Sequence, residues 1–74
     1  IKYDLPEARN VEVMIYDIMG RKGRTLINEY QDVGYRSIRW DATDDYGRGV
    51  SAGMYIFTIQ AGDFRQVRKM ILLK

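Results

Sequence analysis

The chain contains no cysteine and no histidine, and these absences exclude much of the common chemistry of enzymes and metal sites. Without cysteine there is no disulfide and no thiolate metal site. Without histidine the chain lacks the commonest general base and the commonest metal ligand. No apolar run approaches the roughly 20 residues that span a bilayer, and no signal peptide is present, so we expect no membrane insertion. Because no catalytic constellation remains, we expect a protein that is not an enzyme and binds no cofactor.

The chain also lacks a concentrated positive charge. Its 74 residues include 12 lysines and arginines against 10 aspartates and glutamates, for a net charge of +2. The basic residues are dispersed, and no basic run with interleaved aromatics occurs. A phosphate-binding surface needs a stronger positive field than this. We therefore expect no nucleic-acid partner.

Alternating apolar and polar residues predict short strands along most of the chain, and no segment predicts a helix. A chain of this length forms one domain, spanning residues 1–74. A glycine hairpin at Ala61-Gly62-Asp63 connects the last two strands. Six or seven short strands with frequent turns are typical of an antiparallel β-sandwich or a small barrel. The predicted strands are 1–5, 11–18, 24–30, 36–41, 54–61 and 64–73.

The long polar connection from Trp40 to Phe57 is the segment around which the strands are organised. It contains three glycines and one isolated apolar residue, Val50. We expect it to carry the chain from one sheet to the other, with Val50 inserted into the core. The side chains expected to be buried together between the sheets are Ile38, Trp40, Tyr55, Phe57 and Ile59.

Three carboxylates in this connection, on Asp41, Asp44 and Asp45, allow two interpretations. Clustered carboxylates are hard oxygen ligands of the kind that calcium prefers, although their spacing is not that of an EF-hand. Alternatively, Asp41 and Asp44 accept hydrogen bonds from backbone amides and stabilise turns. We expect the same turn role for Asp17.

The aromatic residues also allow two interpretations. Trp40, Tyr46, Tyr55 and Phe57 could form a sugar-binding platform, but the strand alternation places all except Tyr46 on core-facing sides. Tyr46 is the one aromatic residue expected to be exposed. The glutamates have no partner at a defined distance, and we expect solvated charges at Glu7, Glu12 and Glu29.

Taken together, the segments resemble the C-terminal sorting domain of the type IX secretion system, which is closely similar to the Ig-like domain of flagellar hook-capping proteins. The family signature is carried by Trp40, Asp41, Gly47, Gly53 and Tyr55. The chain departs from the family at Ala42, where glycine is more common, and at Gly23, where an apolar residue is more common. The matching stretches, in chain order, are Ile1-Lys2-Tyr3-Asp4-Leu5-Pro6-Glu7, residues 11–20, Arg24-Thr25-Leu26, Gly34, Trp40-Asp41, Asp44-Asp45-Tyr46-Gly47, Val50, Gly53-Met54-Tyr55 and the terminal residues 69–74.

The resemblance implies an Ig-like antiparallel β-sandwich of six to seven strands, excised from a longer secreted protein. It implies a non-enzymatic signal that directs an N-terminal cargo domain across the outer membrane. The implied partners are the outer-membrane secretion machinery and a sortase-like peptidase, and the implied location is the periplasm in transit, then the cell surface or the medium of a Bacteroidetes-type bacterium. The alternatives are a structural assembly module of the hook-cap type and an accessory carbohydrate-binding module of a secreted glycoside hydrolase.

The terminal segment is the candidate recognition site, and it consists of Lys69, Met70, Ile71, Leu72, Leu73 and Lys74. In one interpretation its lysines and apolar side chains contact the secretion machinery. In the other, Met70 and Leu72 fill the core while the lysines protect an edge strand from aggregation. An exposed edge also allows a partner to bind by strand addition.

Overall fold

A computed structural model describes residues 1–73, and in this part of the chain all regular structure is β. Among these residues no helix exists that could cross a membrane. Lys74 lies outside the described residues. The six strands are β1 (Lys2–Leu5), β2 (Arg9–Asp17), β3 (Lys22–Gln31), β4 (Gly34–Ser37), β5 (Gly53–Ala61) and β6 (Phe64–Leu72).

The strands form two antiparallel sheets that pack into an Ig-like β-sandwich. One sheet pairs β1 with β4, and the other has the strand order β3-β2-β5-β6. The predicted all-β sandwich is therefore confirmed, with six strands. The connection between β4 and β5 passes from the two-stranded to the four-stranded sheet, as predicted. The strong apolar character of β5 agrees with its internal position between β2 and β6.

The core is built on the alternation of β2. Its residues Val11, Val13 and Ile15 have no exposed surface, and they share one sheet face with their β5 partners. Tyr3 and Leu5 of β1 close the core from the other sheet. A strand with this alternation directs one set of side chains into the core and the other set away from it. The pattern of β2 therefore determines which face of the four-stranded sheet packs against the other sheet.

The five residues expected to be buried together behave differently from one another. Phe57 and Ile59 are buried in the core, and Trp40 and Tyr55 are half-buried and packed against it. Ile38 is half-buried but lies outside the core cluster, so that part of the prediction is wrong.

Val50 is likewise half-buried and outside the core cluster, and the expected insertion into the core is not formed. Its backbone amide donates to the carbonyl of Ala42 at 2.9 Å, which holds it in the connection. It lines an open groove at one end of the sandwich. Val50 therefore lies beside the open groove and does not enter the core.

The fourth strand is shorter than predicted. It ends at Ser37, and only one further residue, Ile38, continues the pairing by exchanging two backbone hydrogen bonds with Ile1. Beyond it the Trp40 indole donates to the carbonyl of Thr43 at 2.8 Å. That contact requires a tight turn within three residues and is incompatible with an extended strand through Asp41.

The β5–β6 hairpin has the predicted two-residue turn at Gly62 and Asp63. Gly62 has a φ of +60°, and a Cβ at this position would lie 1.9 Å from Nη1 of Arg9. The Arg9 guanidinium occupies that space to reach the Ala61 carbonyl at 3.1 Å. Glycine is required here both by the left-handed backbone and by the close approach of Arg9.

Candidate functional site

The predicted signature residues lie together in and around the connection between the sheets. Trp40 contacts Tyr55 edge-on, with ring centroids 5.1 Å apart. Asp41 accepts hydrogen bonds from the backbone amide and hydroxyl of Thr43, while the Tyr55 hydroxyl donates to the Ser51 carbonyl at 2.7 Å. The contacts of Tyr55 attach the connection to β5, and those of Asp41 stabilise a turn within the connection.

The signature glycines occupy backbone positions that other residues adopt poorly. Gly47 has a φ of +79° in a turn, and Gly53 has a φ of +147° where β5 begins. Ala42 is the only non-glycine residue with positive φ among residues 1–73, at 64°. The resemblance leads us to expect glycine at this position, and the backbone shows the physical reason for that preference.

Two corners of the chain have the same five-residue construction, Asp-x-x-Gly-Arg, at 17–21 and 44–48. In each corner Oδ1 of the aspartate accepts the amides two and four residues ahead, at 2.9–3.0 Å. The Nε of the closing arginine, Arg21 or Arg48, donates to Oδ2 of the same aspartate. The turn roles expected for Asp17 and Asp44 are thus confirmed.

This repeat was not predicted from the sequence, although the identical spacing of Asp, Gly and Arg in the two corners was the available signal. The role of Arg24 was not predicted either. Its Nη1 donates to the Thr43 hydroxyl at 2.6 Å and to the Asp44 carbonyl at 3.0 Å. This arginine holds the connection against β3. The free edge of β3 is further covered by Asp45, which exchanges hydrogen bonds with Gly23 and Thr25.

The two corners face each other across an open groove of about 430 Å³. Its charges are balanced by pairs: Asp17 with Arg21, Asp44 with Arg48, and Asp45 with Lys22 at 3.7 Å. The remaining lining residues include Gly23, Tyr46, Val50 and Tyr55. A groove with internally neutralised charge has little net attraction for either a cation or an anion.

The hydrogen bonds in the corners stabilise the ionised carboxylates. The Arg21 amide lowers the pKa of Asp17 below its ordinary value of 3.8, with its guanidinium and the Met19 amide acting in the same direction. The amides of Arg48 and Tyr46 lower the pKa of Asp44 in the same way. The Thr43 hydroxyl, followed by the Thr43 amide and Arg24, lowers the pKa of Asp41.

These lowered pKa values predict acid sensitivity. For a carboxylate whose folded pKa lies below its unfolded pKa, the stabilisation is complete above the unfolded pKa and is lost as the pH falls through the folded one. The free energy of unfolding should therefore decline between about pH 5 and pH 2. In the double variant Asp17→Asn and Asp44→Asn, unfolding should be easier at pH 7 and its pH dependence flatter, as measured by urea midpoints.

Asp4→Asn, which removes an exposed carboxylate of β1, is the matched control and should leave the slope close to that of the unmodified chain. Equal slopes for the double variant and the unmodified chain would contradict a contribution from the two corners.

No group of three or more acidic side chains suited to a metal ion occurs within residues 1–73. Asp41, Asp44 and Asp45 point at separate partners, namely Thr43, Arg48 and Thr25. The geometry favours the turn interpretation over the calcium interpretation, because each carboxylate already has its own donors.

The aromatic residues do not form a platform. Tyr46 is 83% exposed, as predicted, and the guanidinium of Arg48 lies 5.1 Å from its ring centroid. The expectation that it is the one exposed aromatic is wrong, since Tyr30, Tyr35 and Phe64 are also exposed. Tyr30 and Tyr35 alternate onto solvent-facing sides of β3 and β4.

Residues 69–72 of the terminal segment form the second half of β6, which is an edge strand. Met70 and Leu72 are half-buried on the inner side, and Met70 packs against the core. Ile71 and Leu73 are exposed, by 67% and 83%, and Lys69, two residues before Ile71, is also exposed. Among the described residues of the segment, Met70 and Leu72 therefore fit the core interpretation, and Lys69, Ile71 and Leu73 fit the partner interpretation.

Exposed apolar side chains continue across the outer face of the four-stranded sheet. Ile71 is paired with Met54, and Val67 lies on the same face of β6 four residues before Ile71. Met54 and Val67 are both exposed. The outer face of an antiparallel sheet is ordinarily polar when water covers it, so this face and the β6 edge form the best candidate site for a macromolecular partner.

Comparison of the chain with protein-family models, with curated proteins and with solved structures found no match to any of the three.

Proposed function

We propose that this domain is a non-enzymatic sorting module that directs a cargo protein across the outer membrane through a type IX secretion system. The observation that carries the proposal is the free β6 edge, which displays Val67, Ile71 and Leu73 to solvent. A protein-recognition surface needs exposed apolar contacts and available backbone groups, and this edge has both.

The signature residues support the proposal in a second way. The motif that carries the resemblance makes one connected corner, in which Trp40, Asp41 and Tyr55 contact one another or their immediate neighbours. The departure at Ala42 lies at a backbone position that favours glycine. These contacts support the proposal because the residues that carry the resemblance act together in one part of the fold.

The groove supports a function without catalysis. A general acid near neutral pH needs a raised pKa, whereas the pKa values of Asp17 and Asp44 are lowered. Their oxygens are already used by backbone amides and by the paired arginines. A carboxylate whose oxygens already accept hydrogen bonds within a turn is poorly suited to proton transfer.

In this proposal the partners are the outer-membrane secretion machinery, a sortase-like peptidase and the cargo domain. The domain folds in the periplasm, is recognised there, and accompanies or releases its cargo at the cell surface. The half-buried Met70 and Leu72 keep β6 attached to the sandwich while the outward residues are recognised.

The proposal is tested by fusing the domain to the C-terminus of a reporter that carries an inner-membrane export signal, in a bacterium with this secretion system. The unmodified domain should deliver the reporter to the surface or the medium. Ile71→Lys should retain it in the periplasm, because a charge replaces an exposed apolar contact. Ile18→Lys is the matched control, since Ile18 is 64% exposed in the turn between β2 and β3 and is not part of β6.

Export of both variants at the level of the unmodified domain would contradict recognition at β6. Periplasmic retention of the unmodified domain would contradict the sorting function itself. Concentration-dependent self-association in sedimentation would favour the hook-cap type of assembly module, and specific binding in a glycan screen would favour the carbohydrate-binding alternative.

A further inference from the structure

The two edges of the four-stranded sheet are unequally protected. At the β3 edge, Asp45 donates its amide to the Gly23 carbonyl at 3.0 Å and accepts the Thr25 amide at 2.9 Å. At the other edge, β6 has backbone pairing with β5 alone, within the part of the chain that the structure describes. An added strand would therefore find open backbone groups along β6.

The β6 edge carries charge of one sign. Its sequence from Phe64 to Leu72 contains the cations Arg65, Arg68 and Lys69 and no acidic residue. Arg68 is turned inward and donates to the Lys2 carbonyl at 3.0 Å, which leaves Arg65 and Lys69 as the outward cations.

Outward cations and apolar side chains alternate along this edge. The order on the outer face is Arg65, Val67, Lys69 and Ile71, with Val67 56% and Ile71 67% exposed. An edge strand whose charges serve only to prevent aggregation does not also need exposed large apolar side chains on the same face. A strand that recognises another strand needs both, because cross-strand pairs on one face give the specificity.

We propose that β6 binds an extended peptide segment in which acidic and apolar residues alternate on one face, by strand addition to its free edge. Acidic side chains of the partner lie opposite Arg65 and Lys69, and apolar side chains lie opposite Val67 and Ile71. This inference rests on the proposed role of β6 in recognition and adds the chemistry of the partner.

The same charge pattern favours an acidic strand over a second copy of this domain as the occupant. Within Phe64–Leu72 a second β6 has no acidic side chain to place opposite Arg65 or Lys69. Registers that bring these cations opposite each other are destabilised, because like charges directly opposite each other repel in a sheet. An acidic strand forms two opposite-charge pairs at this edge that a second β6 cannot form.

The test is a titration of the isotope-labelled 74-residue domain with a synthetic peptide of repeating Glu-Thr-Val-Thr units, followed by NMR. The amide signals of β6 should shift, and their hydrogen exchange should slow. A peptide of repeating Lys-Thr-Val-Thr units should bind about tenfold more weakly or not at all, because both cross-strand charge pairs become repulsive. A peptide with methylated backbone nitrogens should lose binding through the loss of its ladder hydrogen bonds.

The variant Lys69→Glu should reduce the preference for the acidic peptide about threefold to tenfold. Arg39→Glu makes the same charge change on an exposed residue of the connection and should leave the preference unchanged. Equal affinity for the two peptides, or shifts confined to β3 or the groove, would overturn the inference.

The failure of this inference is distinguishable from failure of the sorting function. Loss of export in Ile71→Lys without any preference for the acidic peptide would overturn the acidic partner alone. A clear preference for the acidic peptide, with the unmodified domain retained in the periplasm, would overturn the sorting function alone.

Discussion

Replacing Ile15 with alanine should lower the free energy of unfolding by about 2–5 kcal/mol, the range observed when a large aliphatic side chain is removed from a core. Ile15 has no exposed surface and lies at the centre of the four-stranded sheet, paired with Phe57 of β5. The neighbouring strands are fixed by their ladders and cannot close the resulting cavity completely. Urea unfolding followed by the fluorescence of the single tryptophan measures the effect.

The expected loss is a large fraction of the total free energy of unfolding of such a small protein. A domain of this length has a total stability of roughly 4–11 kcal/mol, so the variant could lose most of it. A short chain buries a smaller fraction of its surface than a long one and has few core side chains to share the loss. The four largest fully buried side chains are Val11, Val13, Ile15 and Ile59.

Ile71→Ala is the matched control, because it removes the same atoms from an exposed position on β6. Its effect should stay within about 0.5 kcal/mol. A loss of stability in Ile71→Ala as large as that in Ile15→Ala would mean that the outer face of the sheet is a second core, and would contradict its assignment as a surface for partners.

The sequence predicted those parts of the fold that depend on local alternation. The all-β class, the positions of most strands and the Gly62-Asp63 turn all follow from patterns a few residues long. The division of six strands into sheets of two and four depends on pairings between distant residues, such as Tyr3 with Arg36. Local alternation contains no information about such partners.

The errors at Ile38 and Val50 have one physical origin. Ile38 precedes the polar connection and Val50 lies within it, and the apolar character of each side chain alone favours burial. The hydrogen bonds of Trp40 and Arg24 turn the connection early and hold it over the end of the sandwich. These side-chain hydrogen bonds determine the path of the connection, and they cannot be inferred from the hydrophobicity of its residues.

The sequence predicted the strand that carries the candidate site. Alternation in the terminal segment already separates Met70 and Leu72 from Ile71 and Leu73. The position of this strand at an edge follows from its pairing with β5 alone, and the contrast with the β3 edge depends on Asp45, which contacts Thr25 about 20 positions away in the chain. Only the assembled sheet shows that one edge is protected and the other is not.

Replacing Trp40 with alanine should lower the free energy of unfolding by about 2–3 kcal/mol, less than for a fully buried tryptophan because half-buried side chains lose less. The variant removes the packing against the core, the edge-on contact with Tyr55 and the hydrogen bond to the Thr43 carbonyl. An aromatic pair contributes about 0.5–1.5 kcal/mol and a hydrogen bond a similar amount. Thermal unfolding followed by circular dichroism measures the loss without relying on tryptophan fluorescence.

Trp40→Phe separates the parts of this effect. It keeps an aromatic ring beside Tyr55 but has no indole N–H for the Thr43 carbonyl, so it should cost about 1 kcal/mol. Tyr46→Ala, which truncates an exposed aromatic in the same connection, should cost less than either. If Trp40→Ala leaves stability unchanged but abolishes export of the reporter, the tryptophan is a recognition residue and its role in holding the connection is wrong. If stability falls as expected and Trp40→Phe still supports export, the signature residues preserve the fold, and recognition belongs to the β6 edge.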